Sequence, residues 1–181
     1  SPDRVYDGVL KAQAGARNYE AEYFDGRSAG TVAFNAPNLV LRGDFLGAAT
    51  PGARQRDVAG AGFPLGGNFI IGGAQRLTSD RLSSFLDFSY IGSIGLGGTA
   101  TAALATPAFG DSLTGANAAF ASAVDVPTQS LAAGGFSRFN AYTQGDIRMQ
   151  GALDLAPGGE VRLAAQNGIR LEAGVSSASE A

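Results

Sequence analysis

The chain has 181 residues, long enough for one domain with a sizeable core, and a formal net charge of −3 from 13 Lys and Arg against 16 Asp and Glu. Its basic residues are scattered, which excludes the concentrated positive field that a nucleic-acid surface needs, and the absence of cysteine and histidine excludes disulfides, thiolate or His-ligated metal sites and any Ser-His-Asp triad. Charged residues make up only 16 % of a chain that is 45 % apolar, so the low charge predicts extended sheet with small-residue turns rather than disorder.

Residues 1 to 27 carry a large share of the charges and three of the tyrosines. Val9, Leu10 and the alternation Tyr19, Ala21, Tyr23 predict one or two strands, with Asp25-Gly26 as a turn. The segment reads as an edge that packs onto the first repeat, with a dedicated binding face as the other reading. In TVAFNAPNLVLRGDFL, residues 31 to 46, Val32, Phe34 and Ala36 alternate, Pro37-Asn38 turns the chain, and Leu39 and Leu41 alternate again. Arg42-Gly43-Asp44 spells an RGD triplet at an ordinary inter-strand turn. Integrin recognition needs that triplet at the tip of an exposed loop, so it is read here as a corner.

From Gly47 to Leu131 the repeat is lost. Residues 47 to 67 are rich in Ala, Gly and Pro and read as a long loop. Asn68 to Ile71, bracketed by glycine pairs, predicts a strand covered on both faces. Leu82 to Ile91 alternates with both faces partly apolar and predicts a second strand, leading into Ile94 and Leu96. The uncharged run from Phe88 to Gly110 is mostly Gly, Ala, Thr and Ser and contains Pro107, a composition too poor in large apolar side chains for a transmembrane helix. Asn117 to Val124 predicts a short helix. So long an irregular stretch predicts an insertion lying against the regular part of the fold.

The last third is the most regular. Phe139, Ala141 and Thr143 recur as Val161, Leu163 and Ala165, and Ile147 to Gln150 recur as Ile169 to Glu172, both at the same offset along the chain. The apolar pairs Ile147/Met149, Leu153/Leu155, Val161/Leu163 and Ile169/Leu171 are separated by steps carrying Gly, Pro, Asn or Asp. Each pair reads as a short strand with one buried face and each gap as a turn. Three strands in each repeat of about 22 residues predict an all-β chain, a right-handed parallel β-helix in which equivalent residues stack. The expected organisation is therefore residues 1–46 as N-terminal segment and first coil, 47–131 as a Gly/Ala-rich extra-helical insertion with short strands, 132–175 as regular coils, and 176–181 as a tail. Ser1 opens without a signal peptide, and the repeat runs out at Val175 without a capping coil. Both features predict a segment of a longer chain.

GGFSRFNAYTQGDIRMQGALDLAPGGEVRLAAQNGIRLEAG together with TVAFNAPNLVLRGDF resembles the filamentous-haemagglutinin-like large exoproteins of two-partner secretion. The resemblance covers about a third of the chain. It implies a β-helical adhesin, export through an outer-membrane partner transporter, a secreted or bacterial cell-surface location, and a part in cell adhesion, biofilm formation or presentation of another domain. The family's N-terminal secretion motif is absent. On this reading the chain is an internal shaft segment, with a host or neighbouring-cell surface protein or glycan as its further partner.

The competing reading is a carbohydrate-active β-helix enzyme, a polysaccharide lyase or glycosidase, because paired carboxylates suffice for glycoside hydrolysis. Its candidates are Asp80, Arg81, Asp87 and Tyr90. On one strand Asp80 and Asp87 would stand more than ~20 Å apart, too far for a catalytic pair unless a turn intervenes. Asp146 and Asp154 read as turn residues. Gly97-Gly98-Thr99-Ala100 lacks the later residues of a calcium nonapeptide repeat, and no Gly-Lys-Ser/Thr follows a strand. The leading expectation is thus not an enzyme, with no catalytic, cofactor-binding or metal-ligating residue assigned.

Overall fold

A computed structural model describes residues 23–56, 62–73, 90–98, 104–121, 123–172 and 177–179. Among the described residues, ten strands, one 3-10 helix and one short α-helix form three sheets in which every pairing is parallel. In the first sheet the order is β1 (Thr31–Phe34), β2 (Asn68–Ile71), β5 (Arg138–Thr143) and β8 (Glu160–Ala165). In the second it is β4 (Ala123–Val126), β3 (Ser93–Leu96), β6 (Asp146–Met149) and β9 (Gly168–Leu171). The third pairs β7 (Leu153–Leu155) with β10 (Ser177–Ser179).

Alternation explains both the strands and their packing. In the first sheet Phe69 pairs with Phe139 and Phe139 with Val161, while Ile71, Ala141 and Leu163 form the neighbouring column. In the second, Val124, Ile94, Ile147 and Ile169 are in register, as are Val126, Leu96, Met149 and Leu171. A side-chain period of two sends these residues to one face, and parallel in-register pairing lays each over its equivalent. Both sheets keep the offset read from the sequence: Phe139 meets Val161 and Ile147 meets Ile169. In the third sheet Leu153 meets Ser177, a slightly longer step.

The core lies between the sheets. Phe69 is fully buried, and its ring centroid stands 5.6 Å from that of Phe34, 5.1 Å from Phe45, 5.4 Å from Phe136 and 6.3 Å from Phe139. Thr143, the polar inward residue of β5, is satisfied by donating from Oγ1 to Ile91 O at 2.7 Å while accepting from Gly145 N at 3.1 Å. The turns stack as tightly as the strands. A Cβ on Gly145 would collide with Gly92 O, so this corner admits only glycine without backbone movement. At the far end Val161, Ile169 and Leu171 remain 42, 47 and 68 % exposed, because no described residue covers β8 and β9.

The segment before β1 is held by the amide side chain of Gln55. Its Oε1 accepts from the backbone N–H of Gly26 at 2.7 Å and Gly52 at 2.8 Å. Its Nε2 donates to Gly26 O at 3.0 Å and Gly62 O at 2.8 Å. The two amide atoms thus serve backbone groups that lie outside the sheets.

The structure corrects the reading of residues 47–131 as lying outside the regular fold. This stretch supplies β2, the central neighbour of β1 and β5, and β3 and β4, which form half of the second sheet. Its Phe69, Ile71, Ile94, Leu96, Val124 and Val126 are core residues. Long Gly- and Ala-rich connections destroy the sequence period, yet the four-residue alternations they separate keep strand register. The strand order is not the sequence order here: β4 pairs with the side of β3 away from β6.

Three smaller expectations also change. Leu39 and Leu41 form no strand and pack, partly buried, against the core. The helix expected at 117–124 is a 3-10 helix at Gly115–Phe120, and β4 begins at Ala123. A helix without a counterpart in the sequence reading, α1 (Thr128–Ala133), lies against β7. The strands expected within 1–22 and 82–89 lie outside the described residues, and Tyr23 to Gly30 contains no strand. Among the described residues no helix is long and apolar enough to cross a membrane.

Candidate functional site

Strands β4, β3 and β6 all end at one corner of the fold, and the chain leaves each differently. After Leu96 it passes through Gly97 and Gly98, after Val126 through Pro127 into α1, and after Met149 through Gln150 and Gly151 toward β7. Gly97 has φ +70°, and a Cβ there would lie 2.8 Å from Gly151 Cα and 2.9 Å from Thr128 Oγ1. The absence of a side chain lets the three exits pack together. Thr128 Oγ1 donates to Ala152 O at 2.7 Å and ties α1 to the last of them.

The exits enclose a groove made of two adjoining depressions. The larger, about 410 Å³, is lined by Gly97, Gly98, Pro127, Thr128, Gln129, Ser130, Ala132, Gly151, Ala152 and Asp154. The smaller, about 230 Å³, is lined by Leu41, Arg42, Gly43, Gly98, Asp125, Pro127 and Ser130. Gly98, Pro127 and Ser130 are common to both, so the two depressions adjoin between Arg42 and Asp154.

Two side-chain oxygens pack over the glycines of β3 and its exit. A Cβ on Gly95 would lie 2.5 Å from Asp125 Oδ1 and 3.3 Å from Gln150 Oε1. A Cβ on Gly98 would meet the same carboxamide oxygen, with Asp125 Oδ1 3.8 Å away. Glycines at 95 and 98 therefore leave room for the Asp125 and Gln150 side chains, which pack where a Cβ would stand. Gln150 is oriented from its other side, where Nε2 donates to Glu172 Oε1 at 3.3 Å. Arg42 is fixed at the opposite end: its guanidinium donates to Leu104 O at 2.9 Å and lies 5.9 Å from the Phe120 ring centroid. The lining is thus mostly small and polar side chains, with the held cation of Arg42 at one end and Leu41 as the largest apolar contributor.

The residues singled out from the sequence are distributed differently. Asp80, Arg81 and Asp87 lie outside the described residues. Tyr90 is 65 % exposed, and its backbone N–H donates to Asn35 Oδ1 at 3.0 Å. Asp154, read as a turn residue, sits in the middle of β7 with its exposed side chain at the groove, and Asp146 opens β6. The RGD triplet is exposed at a bend where Gly43 has φ +95°, and its cation is taken up within the chain by Leu104 and Phe120. Asp125, Thr128 and Ser130 belong to no motif that the sequence reading marks, and Gln150 is marked only as part of the repeat, where Glu172 is its equivalent.

A second polar cluster lies on the outward face of the first sheet. Asn140 Nδ2 donates to Asn68 Oδ1 at 2.6 Å, and Glu160 and Arg162 pair beside them. Tyr142, 9 % exposed, has its phenol pKa raised, chiefly by burial, with Arg162 opposing and Glu160 adding to the effect. These groups satisfy one another along the strands. No protein-family model matches the chain, and no curated protein or solved structure matches it either.

Proposed function

We propose that the chain is a length of right-handed parallel β-helix with coils of about 22 residues, and that it serves as a structural shaft and adhesion segment of a secreted or bacterial cell-surface exoprotein of the filamentous-haemagglutinin-like kind. The observation that carries this reading is the common offset of two separate sheets, Phe139 over Val161 in one and Ile147 over Ile169 in the other. Equal offsets in adjacent sheets are what successive turns of one winding chain produce, and parallel crossovers are right-handed in nearly every known case. Such a stack gives length and stiffness without disulfides, since each coil buries its apolar face on the next.

The stretch from 47 to 131 breaks the repeat and supplies half of the residues that line the groove, so it contributes the contact surface on an otherwise regular shaft. The parent chain reaches the surface through an outer-membrane partner transporter, as the resemblance implies. Attachment tests the adhesive half of this reading: the purified, fluorescently labelled chain is added to host cells, matrix proteins and bacterial envelopes. Saturable attachment to one of these surfaces is expected, and its absence from all of them overturns adhesion.

A further inference from the structure

We propose that the Asn167-Gly168 corner between β8 and β9 is a site of spontaneous covalent modification, where the asparagine loses its amide nitrogen as ammonia and the main chain becomes partly isoaspartate. The inference is independent of the adhesive reading and needs no reactant besides this chain and water.

The dipeptide supplies the reacting atoms. The backbone nitrogen of Gly168 attacks Cγ of Asn167, forming an N–Cγ bond; the Cγ–Nδ2 bond breaks, and ammonia leaves with the proton of the Gly168 N–H. A water molecule then opens the cyclic imide. Attack at the main-chain carbonyl carbon of Asn167 gives isoaspartate, and attack at Cγ gives aspartate. Asn167 alone among the asparagines precedes a glycine. At the others the following Cβ restricts the backbone conformations through which the nitrogen reaches Cγ.

The fold leaves this corner open and closes a chemically similar one. Asn167 is exposed, and a Cβ built on Gly168 would meet, among the described residues, just Asp146 Oδ1 at 3.8 Å. Asp25-Gly26 can form the same imide by loss of water. There, however, Gly26 is buried, its N–H donates to Gln55 Oε1 at 2.7 Å, and a Cβ on it would collide with Thr50 O. That nitrogen is engaged and boxed in by backbone, so the fold protects Asp25 and leaves Asn167 free to react.

The position of the corner gives the change a structural consequence. Asn167 donates its N–H to Gly145 O at 3.1 Å, and Gly168 is in register with Asp146. Isoaspartate routes the main chain through the side-chain carbon, which lengthens the link between β8 and β9 and leaves a new carboxylate near Asp146. Among the described residues β9 pairs with β6 alone, and its Ile169 and Leu171 are exposed. The change therefore falls on a strand held from one side, which should open more readily.

The test is to age the whole chain in buffer at neutral and mildly alkaline pH, folded and in urea, and to map it by mass spectrometry with electron-transfer fragmentation. The folded chain is expected to convert at residue 167 to isoaspartate and aspartate, faster at the higher pH, while Asp25 isomerises in urea alone. Gly168→Ala, whose methyl has room at the corner, should slow the conversion by about tenfold by restricting the backbone. Asn167→Gln, whose longer side chain closes the ring far less readily, should keep its amide. Circular dichroism confirms that both variants are folded. An Asn167 that stays intact in the folded chain, whether or not it converts in urea, overturns the proposal, as does an unchanged rate in Gly168→Ala. The aged chain, separated from the fresh one by its extra negative charge, should exchange the backbone hydrogens of residues 168–172 faster. Equal exchange in the two forms overturns the loosening of β9.

Discussion

Phe69→Ala probes whether the irregular middle of the chain is part of the core or lies upon it. Phe69 is fully buried in β2 and makes ring contacts with Phe34, Phe45, Phe136 and Phe139. Truncating a buried phenylalanine costs about 3–5 kcal/mol, depending on how far the site collapses. Collapse is restricted here because β2 is hydrogen-bonded to β1 on one side and β5 on the other. The cost should therefore be about 4 kcal/mol or more, a large share of a total stability of roughly 5–15 kcal/mol. For a chain of this size that corresponds to a fall in Tm of about 8–16 °C. The chain has no tryptophan, so urea unfolding is best followed in the β-sheet band of the far-UV circular dichroism. Phe109→Ala is the control: that ring is fully exposed, and its loss should cost no more than about 0.5 kcal/mol. A loss below about 1.5 kcal/mol at Phe69, or equal losses at both positions, would refute the placement of β2 in the core.

Two further perturbations test other parts of the structure. Ile147 is fully buried and Arg148, its neighbour in β6, is exposed and in register with Arg170. Ile147→Lys should unfold the protein by placing an unpaired charge in the core, whereas Arg148→Ala should change stability by about 0.5 kcal/mol or less; equal tolerance of both in thermal melts would sink the register. Tyr142 has its pKa raised above the ordinary 10.0, chiefly by burial. Its un-ionised form is favoured in the fold, so this contribution is fully present below the ordinary value and is lost as pH rises through the raised folded-state value. Urea unfolding across that alkaline range should show stability falling, with a shallower fall in Tyr142→Phe; identical slopes would remove Tyr142 from the account.

The regular end of the chain is legible in the sequence because several signals coincide there. Ile147/Met149 and Ile169/Leu171 alternate, glycine-bearing turns separate the pairs, and the spacing repeats, so face, boundary and partner follow from one pattern. In the middle only fragments of that pattern survive. NFII, SIGL and AVDV are short strands standing far apart in sequence. Local alternation indicates that such pieces are strands, but nothing local indicates that β4 will return to the far side of β3. Helix α1 carries a local signal, with Pro127 before Thr128–Ala133 and Gly134-Gly135 after it. The groove is the least legible feature, because Arg42, Gly98, Asp125, Ser130 and Asp154 meet only through the stacking of three strand ends. Its one trace in sequence is that Gly97-Gly98 follows the Ile94/Leu96 alternation much as Gly151 follows Ile147/Met149.

The out-of-order position of β4 makes the two ends of the second sheet unequal in evolution. On the β9 side each added strand continues the direction in which the chain already advances, so duplication of one repeat there would lengthen the stack while leaving existing pairings intact. On the β4 side the edge is occupied by a strand that follows β3 in the chain and leads through α1 into β5. A unit inserted between β4 and β3 would have to part a pairing on which Asp125 and the groove floor depend. Strands added at the β9 edge would therefore leave the groove corner as it is, whereas strands added beside β4 would not.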